Sequence, residues 1–144
     1  MIMGDLAIAV AALFAGAAFY VSFAEQPARL KLDDRAALTE WGPSYKRGFI
    51  MQASLAVIGF VFGLLAWRQS GNVHWLTGAC ILIAAWPYTL LVMMRTNKRL
   101  FAAEPVNAGP ESRALLKKWG QMHLVRTALG CAALVVFLLA SVAS

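Results

Sequence analysis

Cysteine, histidine and acidic residues are all scarce in this chain, and each scarcity removes a class of function. The two cysteines, Cys80 and Cys131, stand alone in separate apolar runs. The lack of a Cys-x-x-Cys pair argues against a quinone-coupled thiol–disulfide enzyme, and both cysteines read as small buried hydrophobes. The two histidines, His74 and His123, fall near opposite ends of the apolar runs, and no run carries an i, i+4 pair of His, Cys or carboxylate ligands. That spacing argues against a conventional zinc or copper site. A haem held by His123 alone is the one metal group the count leaves open, and nothing else in the sequence asks for it, so no cofactor is expected. Charge of either sign is thin, with only 14% charged residues against 60% hydrophobic ones and a mean hydropathy of +0.65. Such a composition excludes a soluble domain.

What remains is four long apolar stretches, at about residues 3–24, 46–68, 73–95 and 119–142, and little else. Each can cross a hydrocarbon core of roughly 30 Å at about 1.5 Å per residue. The expected fold is therefore all-α, a single domain built as a four-helix antiparallel bundle in a membrane, with lipid as its first partner. The net charge of +6 is organised by the membrane rather than by nucleic acid, which is not an expected partner. Arg29, Lys31, Arg35, Lys46 and Arg47 flank the first connection, seven more Lys and Arg flank the third, and the second has Arg68 alone. The positive-inside bias puts the first and third connections in the cytoplasm and both termini outside an inner membrane. Ser22-Phe23-Ala24 resembles a signal cleavage site, but Asp5 replaces the usual basic start and the basic segment follows the apolar run, so a retained span is expected.

The first span is rich in Ala and Gly, the composition that allows close helix approach in lipid, and suggests a central position. Pro27 is expected to stop it. Between Gln26 and Pro43 a loop is expected, holding a short interfacial helix from Arg35 to Trp41, capped by Asp33 or Asp34 and ended by Gly42-Pro43. Trp41 and Tyr45 would then sit at headgroup level. Gly59-x3-Gly63 fits a tight crossing, either with the first span or with a second copy in a homo-oligomer. Gln69 to Asn72 makes a tight turn, and Pro87 should bend the third span. After a loop from Phe101 to Pro110, an amphipathic extension from Glu111 to Trp119 should lead into the fourth span.

Polar groups concentrate in the basic halves of the spans: Tyr20, Ser22, Glu25, Gln52, Ser54, Tyr88, Thr89, Asn97, His123, Arg126 and Thr127. The other halves hold little beyond Thr77 and Cys80, which argues against a pore or transporter and for a pocket open to one side. Trp119, His123 and Arg126, at i, i+4 and i+7, share one helix face. Each has a bland alternative. Arg126 can snorkel to headgroups, His123 can be a packing residue, and Asn97 can cap the third span. Glu25 is either loop or the carboxylate that neutralises Arg126. Gln52, Tyr45, Tyr88 and Trp86 complete the expected ligand-facing set.

These residues also resemble a family. Phe14-Ala15-Gly16, Glu25-Gln26-Pro27-Ala28-Arg29-Leu30, Trp41-x-Pro43-Ser44-Tyr45-Lys46 followed by Gln52, Thr96-Asn97-x2-Leu100 and Trp119-x3-His123-x2-Arg126 together look like the anthrone-oxygenase-like small membrane proteins. The resemblance implies oxidation of an anthrone by dioxygen without metal or flavin. It maps the family's polar residues onto Glu25, Asn97, Trp119, His123 and Arg126. One departure is Gln26, where fungal members tend to have a histidine. A base such as His123, an oxyanion site at Arg126 and Asn97, and stacking by Trp119, Tyr88 and Trp86 would suit a planar, lipophilic aromatic ligand. The rival expectation is a non-catalytic bundle that binds a lipid or quinone-like molecule or steadies a partner complex.

Overall fold

The computed structural model describes residues 1–143 and consists of four long helices: α1, Ile2–Arg29; α2, Asp34–Ser70; α3, Val73–Ala102; and α4, Pro110–Val142. All four are long and apolar enough to cross a membrane, so this is a multi-pass membrane protein. Each helix packs on its neighbours in sequence, and α1 closes the square against α4. Span one is thus a corner of the bundle and not its centre. Its small residues Ala7, Ala11, Ala15 and Ala18 are nevertheless buried, because they form the seam with α2 and α4.

The connections are shorter than the sequence suggests. The expected eighteen-residue first loop shrinks to residues 30–33, because both prolines thought to break helices are absorbed. Pro27 lies inside α1, directly after a π-helical turn at Val21–Glu25 in which Gln26 N–H donates to the Val21 carbonyl. The wider turn takes up the missing N–H and the ring clash that a straight helix would suffer. Pro43 lies inside α2, so the separate interfacial helix does not exist. Asp33 caps a single helix of 37 residues, accepting from Ala36 N–H at 2.9 Å, and Asp34 instead pairs with Arg113 of α4. At about 1.5 Å per residue α2 is far longer than a bilayer core is thick, and its first turns pack on α4, itself 33 residues long.

That packing corrects Trp41. It is only 1% exposed, not at a headgroup surface, and sits in a second apolar core with Ala37, Leu38, Leu100, Leu116 and Trp119. The extension of α4 from Glu111 to Trp119 is continuous with the span and buries its apolar face, Leu115, Leu116 and Trp119, in this core. At the opposite end lies the larger core, with Phe14, Ala56, Trp75, Leu82 and Phe137. A Cβ on Gly59 would come within 2.5 Å of Leu82, and one on Gly63 within 2.8 Å of Ala79. The Gly59-x3-Gly63 pattern is thus spent on contacts within the chain. Gly71 ends α2 with φ of +72°, a left-handed cap that makes the tight turn into α3.

α3 breaks where Pro87 requires it. The helix is interrupted at Ala84, resumes over Ala85–Tyr88, and passes through a π-helical turn at Thr89–Met93. Two readings of single residues fail. Cys80 and Cys131 are exposed on the outer face of the bundle, and so are Tyr20 and Ser54, whose hydroxyl turns back to the Ile50 carbonyl.

Candidate functional site

Beside the second apolar core and toward the first, every helix contributes buried polar side chains: Gln26 and Arg29 from α1, Gln52 from α2, Thr89, Thr96 and Asn97 from α3, and His123, Arg126 and Thr127 from α4. A polar layer inside a membrane bundle is costly unless its members are paired. The layer splits into two networks with different chemistry.

The first is centred on Arg29, which by local sequence rules belongs to a loop after Pro27. Arg29 is 2% exposed. Its guanidinium pairs with Glu25 at 2.9 Å and with Glu40, donates to Gln26 and to Ser44, and lies 5.5 Å from the centre of the Trp119 ring. Ser44 also donates to Glu25, and Gln26 Nε2 donates to the Leu116 carbonyl at 2.8 Å. Glu25 therefore neutralises Arg29 and not Arg126. The i, i+4 spacing of Glu25 and Arg29 is a helix ion-pair signal, hidden only by the assumption that Pro27 ended the helix.

The second network holds a cation without a carboxylate. Arg126 is 4% exposed and does not snorkel. Its two terminal nitrogens donate to Thr89 Oγ1 at 3.0 Å and to Gln52 Oε1 at 3.1 Å, and its Nε has no hydrogen-bond partner. None of the ion pairs among the described residues includes it. One helical turn away, His123 is 3% exposed, stacks on Trp119 with ring centres 5.1 Å apart, and has Nδ1 2.9 Å from Ser22 Oγ. Its Nε2 makes no hydrogen bond to the described residues. The indole nitrogen of Trp119 is likewise buried and unpaired.

A cleft lies against these groups, lined by Val21, Ser44, Tyr45, Gly48, Phe49, Gln52, Trp119, His123 and Arg126. It holds about 290 Å³ of empty space, but the centre of a water-sized sphere can move through only about 20 Å³ of it. This is room for one small molecule such as water or dioxygen. Phe49 forms part of its wall and also borders a wider apolar groove on the outer face between α2 and α3, of about 480 Å³, shared with Ile50, Val57 and Trp86.

The other expected site residues stand around the cleft without lining it. Asn97 donates from Nδ2 to Tyr45 Oη at 2.9 Å, while its Oδ1 is buried and unpaired, and the helix runs on past it to Ala102. Asn97 therefore holds Tyr45 and does not cap α3. Tyr88 donates its hydroxyl to the Met122 carbonyl at 2.9 Å, and Trp86 donates its indole N–H to the Ala53 carbonyl at 3.1 Å. Trp86 faces the outer groove. Among the described residues no three His, Cys, Asp or Glu side chains gather as a metal-binding group.

Four long apolar helices packed as a bundle define a multi-pass membrane protein, with an imidazole, an unneutralised guanidinium and an indole buried along one cleft. The chain belongs to the anthrone oxygenase family, whose model matches residues 41–136. It is also similar to the anthrone oxygenase of Claviceps purpurea (strain 20.1), at 31% identity over 138 residues covering 86% of this chain and 79% of the relative. No solved structure matches it. The matched region contains Gln52, Thr89, Trp119, His123 and Arg126, whereas Ser22 and the α1 side of the Arg29 network lie outside it.

Proposed function

We propose that the chain is a cofactor-independent oxygenase acting on a lipophilic aromatic carbon acid of the anthrone or quinol class. The observation that carries this reading is the pairing, in one cleft wall, of an imidazole nitrogen and a guanidinium Nε that have no partner among the described residues. A base and a cation left unpaired in a narrow cleft suit a reaction that removes a proton from carbon and places negative charge on oxygen. In the relative, the name anthrone oxygenase states the substrate and the class.

For an anthrone the step balances as anthrone plus O₂ giving anthraquinone plus water. His123 takes one proton from the methylene carbon, and the electron pair delocalises onto the carbonyl oxygen, where Arg126 and the Trp119 N–H offset its charge. The carbanion reduces dioxygen and bonds to it, and the peroxide accepts the proton held by His123. Loss of the second methylene proton with cleavage of the O–O bond then gives the new carbonyl and water. Asn97 acts through Tyr45, and Glu25 through Arg29 and Trp119.

Three fused rings exceed the present cleft, so the rings are taken to lie in the outer groove against Trp86, with Phe49 swinging aside to admit the reacting edge. The basic end of the bundle, which carries every Lys and Arg except Arg68, is assigned to the cytoplasm, and the site then lies in the cytoplasmic half of the bilayer. The test is oxygen uptake and anthrone consumption by purified protein in nanodiscs, beside His123→Ala and empty nanodiscs. Consumption dependent on His123 supports the oxygenase. Rates equal to empty nanodiscs refute it, and a stoichiometric lipid or quinone in an organic extract of the same protein would then favour a binding bundle.

A further inference from the structure

We infer that Ser22 and Thr127 are positioning residues that fix the tautomer of His123, with the proton on Nδ1 and a bare lone pair on Nε2. This rests on the reading of His123 as the base, and it names what makes that nitrogen basic. Thr127 Oγ1 is surrounded by Ser22 Oγ at 2.8 Å, the Ala18 carbonyl at 3.1 Å and the His123 carbonyl at 3.3 Å. Carbonyl oxygens only accept, so the single Thr127 proton satisfies one of them when it points outward. Thr127 can then only accept from Ser22. The Ser22 proton is spent on Thr127, and Ser22 Oγ, 2.9 Å from Nδ1, can only accept from the ring. Run in this direction the chain makes three hydrogen bonds, from ring to Ser22, Ser22 to Thr127 and Thr127 to a carbonyl. Run in reverse it makes two, from Thr127 to Ser22 and from Ser22 to the ring, and it would leave Nε2 protonated and useless as a base.

The backbone supports the same assignment. Ser22 sits in the π-helical turn Val21–Glu25, where the extra residue turns the side chains that follow away from α-helical register. That turn carries Ser22 against α4 and a histidine 101 positions further along the chain, while Gln26 and Arg29 remain aimed at Leu116 and Trp119. In the structure Thr127 is buried and lies one helical turn beyond His123, so it meets Ser22 from the same helix as the ring.

The experiment is nitrogen-15 NMR of ring-labelled protein in nanodiscs, with His74→Gln removing the only other histidine signal. A protonated Nδ1 and an unprotonated Nε2 on His123 are expected at pH well above its titration. Thr127→Val should do more harm than Ser22→Ala. It removes the acceptor that holds the Ser22 proton and so favours donation to Nδ1, which moves the ring proton to Nε2, whereas Ser22→Ala merely releases the ring. Anthrone turnover by Thr127→Val should fall about tenfold or more in kcat with KM nearly unchanged, as expected of a wrong tautomer. Thr127→Ser should restore both the spectrum and the rate, which separates tautomer control from simple packing. A wild-type spectrum with Nε2 protonated overturns the inference whatever the activity. An inactive protein that shows the expected spectrum overturns the oxygenase and leaves the tautomer assignment standing.

Discussion

Replacing Arg126 with methionine is expected to leave the fold standing, whereas the same substitution at Arg29 is expected to weaken it, although both guanidiniums are equally buried. The difference lies in their partners. Arg29 holds two carboxylates, Glu25 and Glu40, whose side chains are 22% and 38% exposed. Breaking a fully buried pair costs about 3–5 kcal/mol and an exposed one about 0–1 kcal/mol, so these half-screened pairs together stand at roughly 2–3 kcal/mol. Arg126 has only neutral acceptors, Thr89 and Gln52. Its burial costs several kcal/mol, and two charge-assisted hydrogen bonds return about 1.5–3 kcal/mol each, which nearly balances. Methionine keeps most of the stem volume, Thr89 can turn its hydroxyl back to the preceding helical turn, and Gln52 borders a cleft with room for a water molecule. The net change is expected within about 2 kcal/mol of zero. For a chain of this size 1 kcal/mol moves Tm by about 2–4 °C. Thermal unfolding followed by intrinsic fluorescence in one detergent should therefore show Arg29→Met about 5–10 °C below the parent and Arg126→Met close to it, with turnover lost in the latter. If Arg126→Met falls as far as Arg29→Met, the unneutralised cation is a structural element, and the argument from its neutral partners is wrong.

Other expectations follow from packing. A Cβ on Gly78 would lie 2.5 Å from the Phe137 ring, so Gly78→Val should prevent recovery of monodisperse protein, and Phe137→Ala in the same chain should restore part of it; independent effects of the two changes would contradict the contact. Pro43 lies inside α2 without an N–H to donate, and Pro43→Ala should raise stability by about 1–3 kcal/mol in the same unfolding assay. Because Cys80 and Cys131 lie on the outer face, replacing both with alanine should change stability by less than about 1 kcal/mol, and a larger loss would mean that they are packed.

What the sequence determined by itself was everything that depends on composition and local spacing. Four apolar lengths, the clustering of Lys and Arg, and the one-face spacing of Trp119, His123 and Arg126 each follow from a few neighbouring residues and the thickness of a bilayer. The family motifs were legible for the same reason, since they are short and ordered. Where helices end and which polar groups meet depends instead on how the four helices pack. Pro27 and Pro43 are helix breakers by local rules, but the packing of the first turns of α2 on α4, together with a π-helical turn in α1, outweighs the loss of one hydrogen bond at each. That single difference moved Trp41 from a membrane surface into a core and brought Arg29 into the bundle. It also reassigned Glu25, because a carboxylate one helical turn from a buried arginine is taken by it before a more distant one can compete. Partners 101 and 74 positions apart, Ser22 with His123 and Gln52 with Arg126, cannot be read from spacing at all, because only helix packing sets the distance between them.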